Sequence, residues 1–222
     1  MEKHNESDIA LNIIIQDKKG NHITGSCKLY VYLSKNALLE FGKELINNAL
    51  HAEYSDVYHF YPAGSGIGIS VNFGIIVHPE SIEPIIIDDM DPIASNALNE
   101  LVRSAENLIS KQKPSSDTQI ILTDNIVLFK VLDNNNNDIS KDCQYVVLYL
   151  HKYSKITLGM ALIRLAHNFE EGKEIHIIPA SKEEAQQAMG VFLTPDSCEL
   201  VIQCKSFDPI DKILEEYEKE HK

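Results

Sequence analysis

Apolar residues recur along the chain with two different periods, and the places where the period changes divide it into elements. "IALNIIIQD" (9–17) and "KLYVYLS" (28–34) are short β-branched and aromatic runs. Between them "KKGNHITGS" (18–26) carries the Gly and Asn of a turn, so the pair predicts a β-hairpin. From Ser34 onward the spacing turns helical: Leu38, Leu39, Phe41, Leu45, Ile46 and Ala49 recur behind a serine placed to cap. The strand containing "HFYPAG" (59–64) follows, with Pro62 expected to end it or lie on an edge, since proline donates nothing to a ladder. "GIIVHP" (74–79) and "EPIII" (83–87) then flank Pro79-Glu80-Ser81 and read as two strands of a second hairpin. A helical stripe of Ala94, Leu98, Leu101, Val102, Ala105 and Leu108 closes this part.

The same order of signals then recurs. "YLSK" (32–35) lies on "YLHK" (149–152), and a shift of 117 residues pairs Gly42 with Gly159, Leu45 with Leu162, Ile46 with Ile163 and Ala49 with Ala166. At that shift His59, Pro62 and Ala63 meet His176, Pro179 and Ala180. After a slip of one residue, Gly74, Pro79, Ser81 and Glu83 meet Gly190, Pro195, Ser197 and Glu199, and "DPI" (91–93) later meets "DPI" (208–210). In the second copy Leu158, Ala161, Leu162, Leu165 and Ala166 form the helical face, "GVFLTP" and "CELVIQC" the strands, and Ile210, Ile213, Leu214 and Tyr217 the last stripe. So many matches in order read as an internal duplication of a β-β-α-β-β-β-α unit. The predicted fold class is α+β, with antiparallel or mixed sheets covered by helices.

Polar "KQKPSSDTQ" (111–119) separates the copies, which places the repeats at 1–115 and 116–222. The copies differ most where the first has "GSGIGISVNF" and the second "SKEEAQQAM", the latter a predicted helix capped by Ser181.

The 222-residue chain is 44% hydrophobic and 24% charged, as expected of a globular protein with a core. Its N-terminal "MEKHNESDIA" has charges where a signal peptide needs an apolar run, and no stretch is apolar enough for a membrane span. A cytoplasmic protein is expected. The net charge of -13 is shared between the halves: 9 basic against 15 acidic residues give -6, and 11 against 18 give -7. Nucleic acid is thereby disfavoured as a partner, because phosphates are met by clustered Lys and Arg. The cysteines (27, 143, 198 and 204) form no C-x-x-C pair and read as buried reduced thiols.

Signatures of chemistry are sparse. "GSGIG" (64–68) lacks both the G-x-G-x-x-G and the G-K-[ST] pattern, and no G-x-S-x-G is present. The repeat-equivalent His59 and His176 lack H-x-x-x-H or H-x-H companions, so each is read first as a mid-strand imidazole bonded across its sheet. No catalytic, cofactor or metal residue is assigned. Acidic residues gather around the second predicted hairpin, at Glu80, Glu83, Asp88, Asp89 and Asp91, with Asp196, Glu199 and Asp208 in the second copy. They read as a solvated face or a partner-binding face.

"GMALIRLAHNFEEGKEIHIIPA" (159–180) followed by "GVFLTPDSCELVIQ" (190–203) resembles small immunity proteins of bacterial polymorphic toxin systems, including those of contact-dependent inhibition. The residues that carry the likeness are Leu162, Ile163, Leu165, Ala166, His176, Pro179, Ser197, Glu199, Leu200, Val201 and Ile202. The first copy supplies Leu45, Ile46, Ala49, His59, Pro62, Ser81 and Glu83, but has Pro84 opposite Leu200. The resemblance implies a non-enzymatic cytoplasmic protein that binds and neutralises a cognate toxin domain. On that reading Glu80, Glu83, Asp88, Asp89, Asp196 and Glu199 would meet a basic toxin face. Two alternatives stand beside it: a ligand site or enzyme between the halves with His59 and His176 facing each other, and assembly through exposed sheet edges.

Overall fold

The computed structural model describes residues 10–23, 27–51, 57–65, 69–89, 103–105, 107–108, 124–180 and 188–221. The strands are β1 (Ala10–Asp17), β2 (His22–Ile23), β3 (Cys27–Leu33), β4 (Val57–His59), β5 (Val71–Asn72), β6 (Ile75–Val77) and β7 (Glu83–Asp89), then β8 (Ile126–Asp133), β9 (Cys143–His151), β10 (Glu174–Ile177), β11 (Phe192–Leu193) and β12 (Glu199–Cys204). The helices are α1 (Lys35–His51), α2 (Lys152–His167) and α3 (Ile210–Glu220), and residues 103–105 and 107–108 are also helical. The repeat boundary near 115, most of the helix predicted over 94–108, Gly66–Gly68 and the helix predicted over 181–187 lie outside the described residues.

Two mixed sheets result, and the fold is α+β. One has the order β11-β1-β9-β7-β4, with β2 on β1; the other has β10-β12-β3-β8-β6-β5. Apart from the two-residue β2 and β5, the second order is the first with each strand replaced by its sequence match. The registers correspond as well: Ile13 faces Leu148 where Phe129 faces Val31, and His59 faces Ile85 where His176 faces Val201.

Neither predicted hairpin forms. β1 pairs antiparallel with β9 and β3 with β8, so consecutive strands lie in different sheets. β6 and β7 are divided likewise, as are β11 and β12, so the Pro79–Ser81 and Pro195–Ser197 turns carry the chain from one sheet to the other. The physical reason lies in the burial pattern. β1 turns Leu11, Ile13 and Ile15 inward while β3 turns Cys27, Leu29, Val31 and Leu33 inward, and these faces join one core with Phe129, Val131, Leu148 and Leu150. Pairing across the halves gives every one of these strands a partner and buries both apolar faces at once. The halves are therefore interleaved: strands of 1–115 and 116–222 alternate from β11 to β7 in one sheet and from β12 to β6 in the other, while the pairs β7-β4, β10-β12 and β6-β5 each stay within one half.

The two sheets differ in one detail of register, which changes the offset between the halves from 116 residues at β1 and β8 to 117 at β3 and β9. The β1–β9 register shifts between Gln16 and Asp17, which face Tyr145 and Cys143, leaving Gln144 as a bulge with no counterpart in β3.

Ser34 caps α1, its Oγ accepting the Ala37 N–H at 3.1 Å. The helices α1 and α2 cross where Gly42 meets Gly159. A Cβ on Gly42 would lie 2.7 Å from the Gly159 carbonyl oxygen, and one on Gly159 would lie 2.6 Å from that of Gly42. Only glycine at both positions permits this approach. α3 buries Ile210 and Ile213 against Ala63, Ile76 and Ile126.

The cysteines depart from the expectation of four free thiols. Cys27 and Cys198, neighbours at the starts of the parallel strands β3 and β12, are joined as a disulfide, while Cys143 and Cys204 are free and buried. Burial pushes the Cys143 thiol up to about 11.

Candidate functional site

The sheet-switching turns fix the acidic residues that the sequence singles out. Glu80 and Asp196 occupy the equivalent tips of these turns, and both are exposed. Two serines hold the turns. Ser81 Oγ accepts the Phe129 N–H at 3.0 Å, and Ser197 Oγ accepts the Ile13 N–H at 3.0 Å, each tying one half to a strand of the other.

Immediately beyond, Glu83 and Glu199 begin β7 and β12 and face the duplicated histidines. His59 Nδ1 lies 3.0 Å from Glu83 Oε1, and His176 Nδ1 lies 2.7 Å from Glu199 Oε1. The cross-sheet reading of the histidines is the one observed. His176 also lies 3.3 Å from Glu174, and its hydrogen bond to Glu199 raises its pKa above the ordinary value against a smaller opposing effect of burial. The two imidazoles sit on strands of different sheets, each engaged by a glutamate of its own sheet. What lies between the sheets is apolar core with a void of about 30 Å³ bounded by side chains such as Leu33, Leu150 and Ile202, too small for a ligand. The arrangement does not bring His59 and His176 together.

Asp88 must be moved from the list of partner-binding candidates. It is 2% exposed, and its carboxylate accepts an ion pair from Lys155 Nζ at 2.7 Å, itself 1% exposed. Lys155 also donates to Asn48 Oδ1 at 2.6 Å, and Asn48 donates to the Tyr58 hydroxyl at 2.6 Å. β7 places inward- and outward-facing residues alternately, and Asp88 falls on the helix-facing side. The residue Asp89 ends β7, and its side chain lies outside the described residues. This buried network was missed in the sequence, although a signal was there: at the repeat shift Lys155 lies on Leu38 and Asn48 on Leu165. A charge opposite a core leucine marks a place where the copies differ in kind.

The exposed acids converge elsewhere, around α3. Glu80, Asp208, Glu216 and Glu220 rim a cleft of about 280 Å³ whose walls include Phe207 and Tyr217. A larger groove of about 890 Å³ continues from it past Glu80, Glu83 and Glu220 to Lys130, Asp138 and Lys141. Lys130 is held by Asp138 at 2.9 Å, which neutralises part of the basic wall. His78, half-buried in the smaller cleft, is held below its ordinary pKa by burial. Two cations of the chain already engage part of this surface: Lys205 lies over the Phe207 ring at 5.3 Å and Lys212 pairs with Asp208 at 2.8 Å. What is left is a rim of Glu80, Glu216 and Glu220 beside Tyr217, suited to receiving further cationic side chains. Among the described residues, no helix is long and apolar enough to cross a membrane.

No family model, no curated protein and no solved structure matches this chain.

Proposed function

We propose that this chain is a non-enzymatic immunity protein, a tandem duplication that binds a cognate bacterial toxin domain with a basic face and neutralises it. The observation that carries the reading is the acidic rim of Glu80, Glu216 and Glu220 beside Tyr217, in excess of the Lys205 and Lys212 that already engage Phe207 and Asp208. Carboxylates at the edge of an interface steer a basic partner and set its orientation, while aromatics at the centre supply contact area. The net charge of -13 extends that field over the whole molecule. The partner class comes from the resemblance of the 159–203 stretch to toxin-system immunity proteins. Of the candidates, Glu80 is the strongest, Asp196 stands alone on its turn, and Glu83 and Glu199 contribute through their paired histidines.

A cytoplasmic site of action belongs to this proposal. The Cys27–Cys198 bond pulls the other way, since disulfides seldom persist in a reducing cytosol. Thiol alkylation of the protein taken directly from cells distinguishes the two: four labelled cysteines support the cytoplasm, and two labelled cysteines contradict it.

The test of function is affinity purification of the tagged chain from its native cell, with mass spectrometry after a salt wash. A stoichiometric toxin fragment supports the proposal, and its absence under toxin-expressing conditions contradicts it. With the partner in hand, the triple reversal Glu80→Lys, Glu216→Lys, Glu220→Lys lowers the association rate and flattens its salt dependence. An unchanged salt series would remove the electrostatic argument.

A further inference from the structure

We infer that the second half carries a site for a small amphipathic carboxylate, an apolar chain ending in one anionic group, in the cleft between α2 and β10. This inference is independent of the toxin-binding proposal.

The cleft, about 580 Å³, runs along the α2 face formed by Thr157, Met160, Ala161, Arg164, Leu165 and Asn168. These residues recur every three to four positions, so they form one continuous helical face. Its apolar lining is completed by Ile175 and Met189. Two cations, Arg164 and Lys173, line the same space, and no carboxylate is among its described lining residues. In a chain with net charge -13, that is a local reversal of sign. The glutamates flanking Lys173 are directed to other partners: Glu171 accepts hydrogen bonds from Ser206, and Glu174 is engaged by His176 and Gln203. Among the described residues neither Arg164 nor Lys173 forms an ion pair. The volume is within the range of ordinary ligand pockets, roughly 300 to 1,000 Å³.

The equivalent place in the first half shows that the fold does not require such a cleft. There the α1 face is polar, with Lys43 and Glu44 where α2 has Met160 and Ala161, and Lys43 is ion-paired to Glu40 at 2.7 Å. The position of Met189 is taken by Phe73, whose ring packs edge-on against Tyr58 and Phe41 at 4.9 and 6.1 Å between centroids. Both turns keep the same backbone, with Phe73 and Met189 at φ 49° and 53° and glycine next in each. A shared turn with an aromatic plug in one copy and a thioether in the other leaves one groove filled and the other open. An apolar floor beside cations that no described carboxylate pairs selects a ligand with an apolar body and an anionic end. Arg164 offers the planar fork that fits a carboxylate.

The test is calorimetric titration of the full chain with dodecanoate below its micelle-forming concentration. Saturable one-to-one binding is expected. The double reversal Arg164→Glu, Lys173→Glu, at exposed positions, weakens it by about tenfold or more. Ala161→Trp, which fills the floor, weakens it by a similar factor of about ten, while Glu44→Trp at the equivalent point of α1 leaves it unchanged. Thermal melting of each variant establishes that it is folded, and the exposed double reversal remains informative if Ala161→Trp is not. Absence of saturable binding overturns the inference. So does dodecyltrimethylammonium, with the same chain and opposite charge, binding as tightly as dodecanoate.

Discussion

At one end of the helix pair, the buried ion pair of Asp88 and Lys155 continues outward through the half-buried Asn48 and Tyr58 as one polar chain. At the repeat-equivalent place on the other side stand Leu165, Ile175, Cys204 and Leu38, all part of or packed on the apolar core. One backbone arrangement thus accepts either a polar quartet with one ion pair or an apolar quartet. All four positions differ between the halves as a set, and removing one partner of a buried pair costs far more than replacing the set.

The strongest way to break this comparison is Lys155→Leu alone, which strands the Asp88 carboxylate in the interior. A loss of about 3 to 5 kcal/mol in urea unfolding is expected. Copying the whole apolar set, with Asn48→Leu, Tyr58→Ile, Asp88→Cys and Lys155→Leu, should recover most of it. A single variant as stable as the quadruple one would show that the sites are not equivalent.

The cysteines sharpen the contrast from a second side. Cys198 is matched by Ile82 in the first half, so only one of two equivalent sheet ends is covalently closed. Reduction, or Cys198→Ile, is expected to lower stability by roughly 2 to 4 kcal/mol. A melting curve indifferent to reductant would contradict that.

A smaller difference separates the two turn serines, which make the same backbone bond at different depths. Ser197→Ala should cost about 1 to 3 kcal/mol, because it leaves the Ile13 N–H buried and unsatisfied. Ser81 is half-buried, and Ser81→Ala should cost less. Equal losses would mean that depth plays no part.

The smallest effect concerns pH. The raised pKa of His176 means that its ion pair with Glu199 contributes fully below the unfolded value, near 6.5, and is lost as pH rises through the folded value. Its side chain is 41% exposed, so solvent screening keeps the contribution small. An NMR titration should place the His176 midpoint above that of a free histidine and return it downward in Glu199→Gln. An unmoved midpoint would leave the pairing without electrostatic consequence.

Local elements were legible because they depend on local rules. The Ser34 cap, the buried stripe from Leu38 to Ala49 and the strand ends before Pro62 and Pro179 follow from spacing and from what proline lacks. Pairing was not legible. β1 and β3 satisfy every signal of a hairpin, and nothing between Asp17 and Cys27 reveals that each strand finds its partner in the other half. The acidic candidates split for a related reason. Charge is visible in a sequence, but whether a carboxylate at the end of β7 faces water or Lys155 depends on where α2 lies. Glu80 was readable as exposed from its turn, whereas Asp88 was not readable as buried.

The interleaving of β1 with β9 also sets an order of events during synthesis. β1 leaves the ribosome early, yet the strand that satisfies its hydrogen bonds ends at His151, and the strand parallel to its other edge, β11, begins at Phe192. Until then β1 has only the two-residue β2 beside it, and the rest of an apolar strand is exposed to neighbouring chains. A topology rich in such distant pairings folds slowly, because loop closure precedes any return from contact. Chains stalled before residue 143 are therefore expected to aggregate where the full chain does not, the cost carried by a molecule whose two halves complete each other.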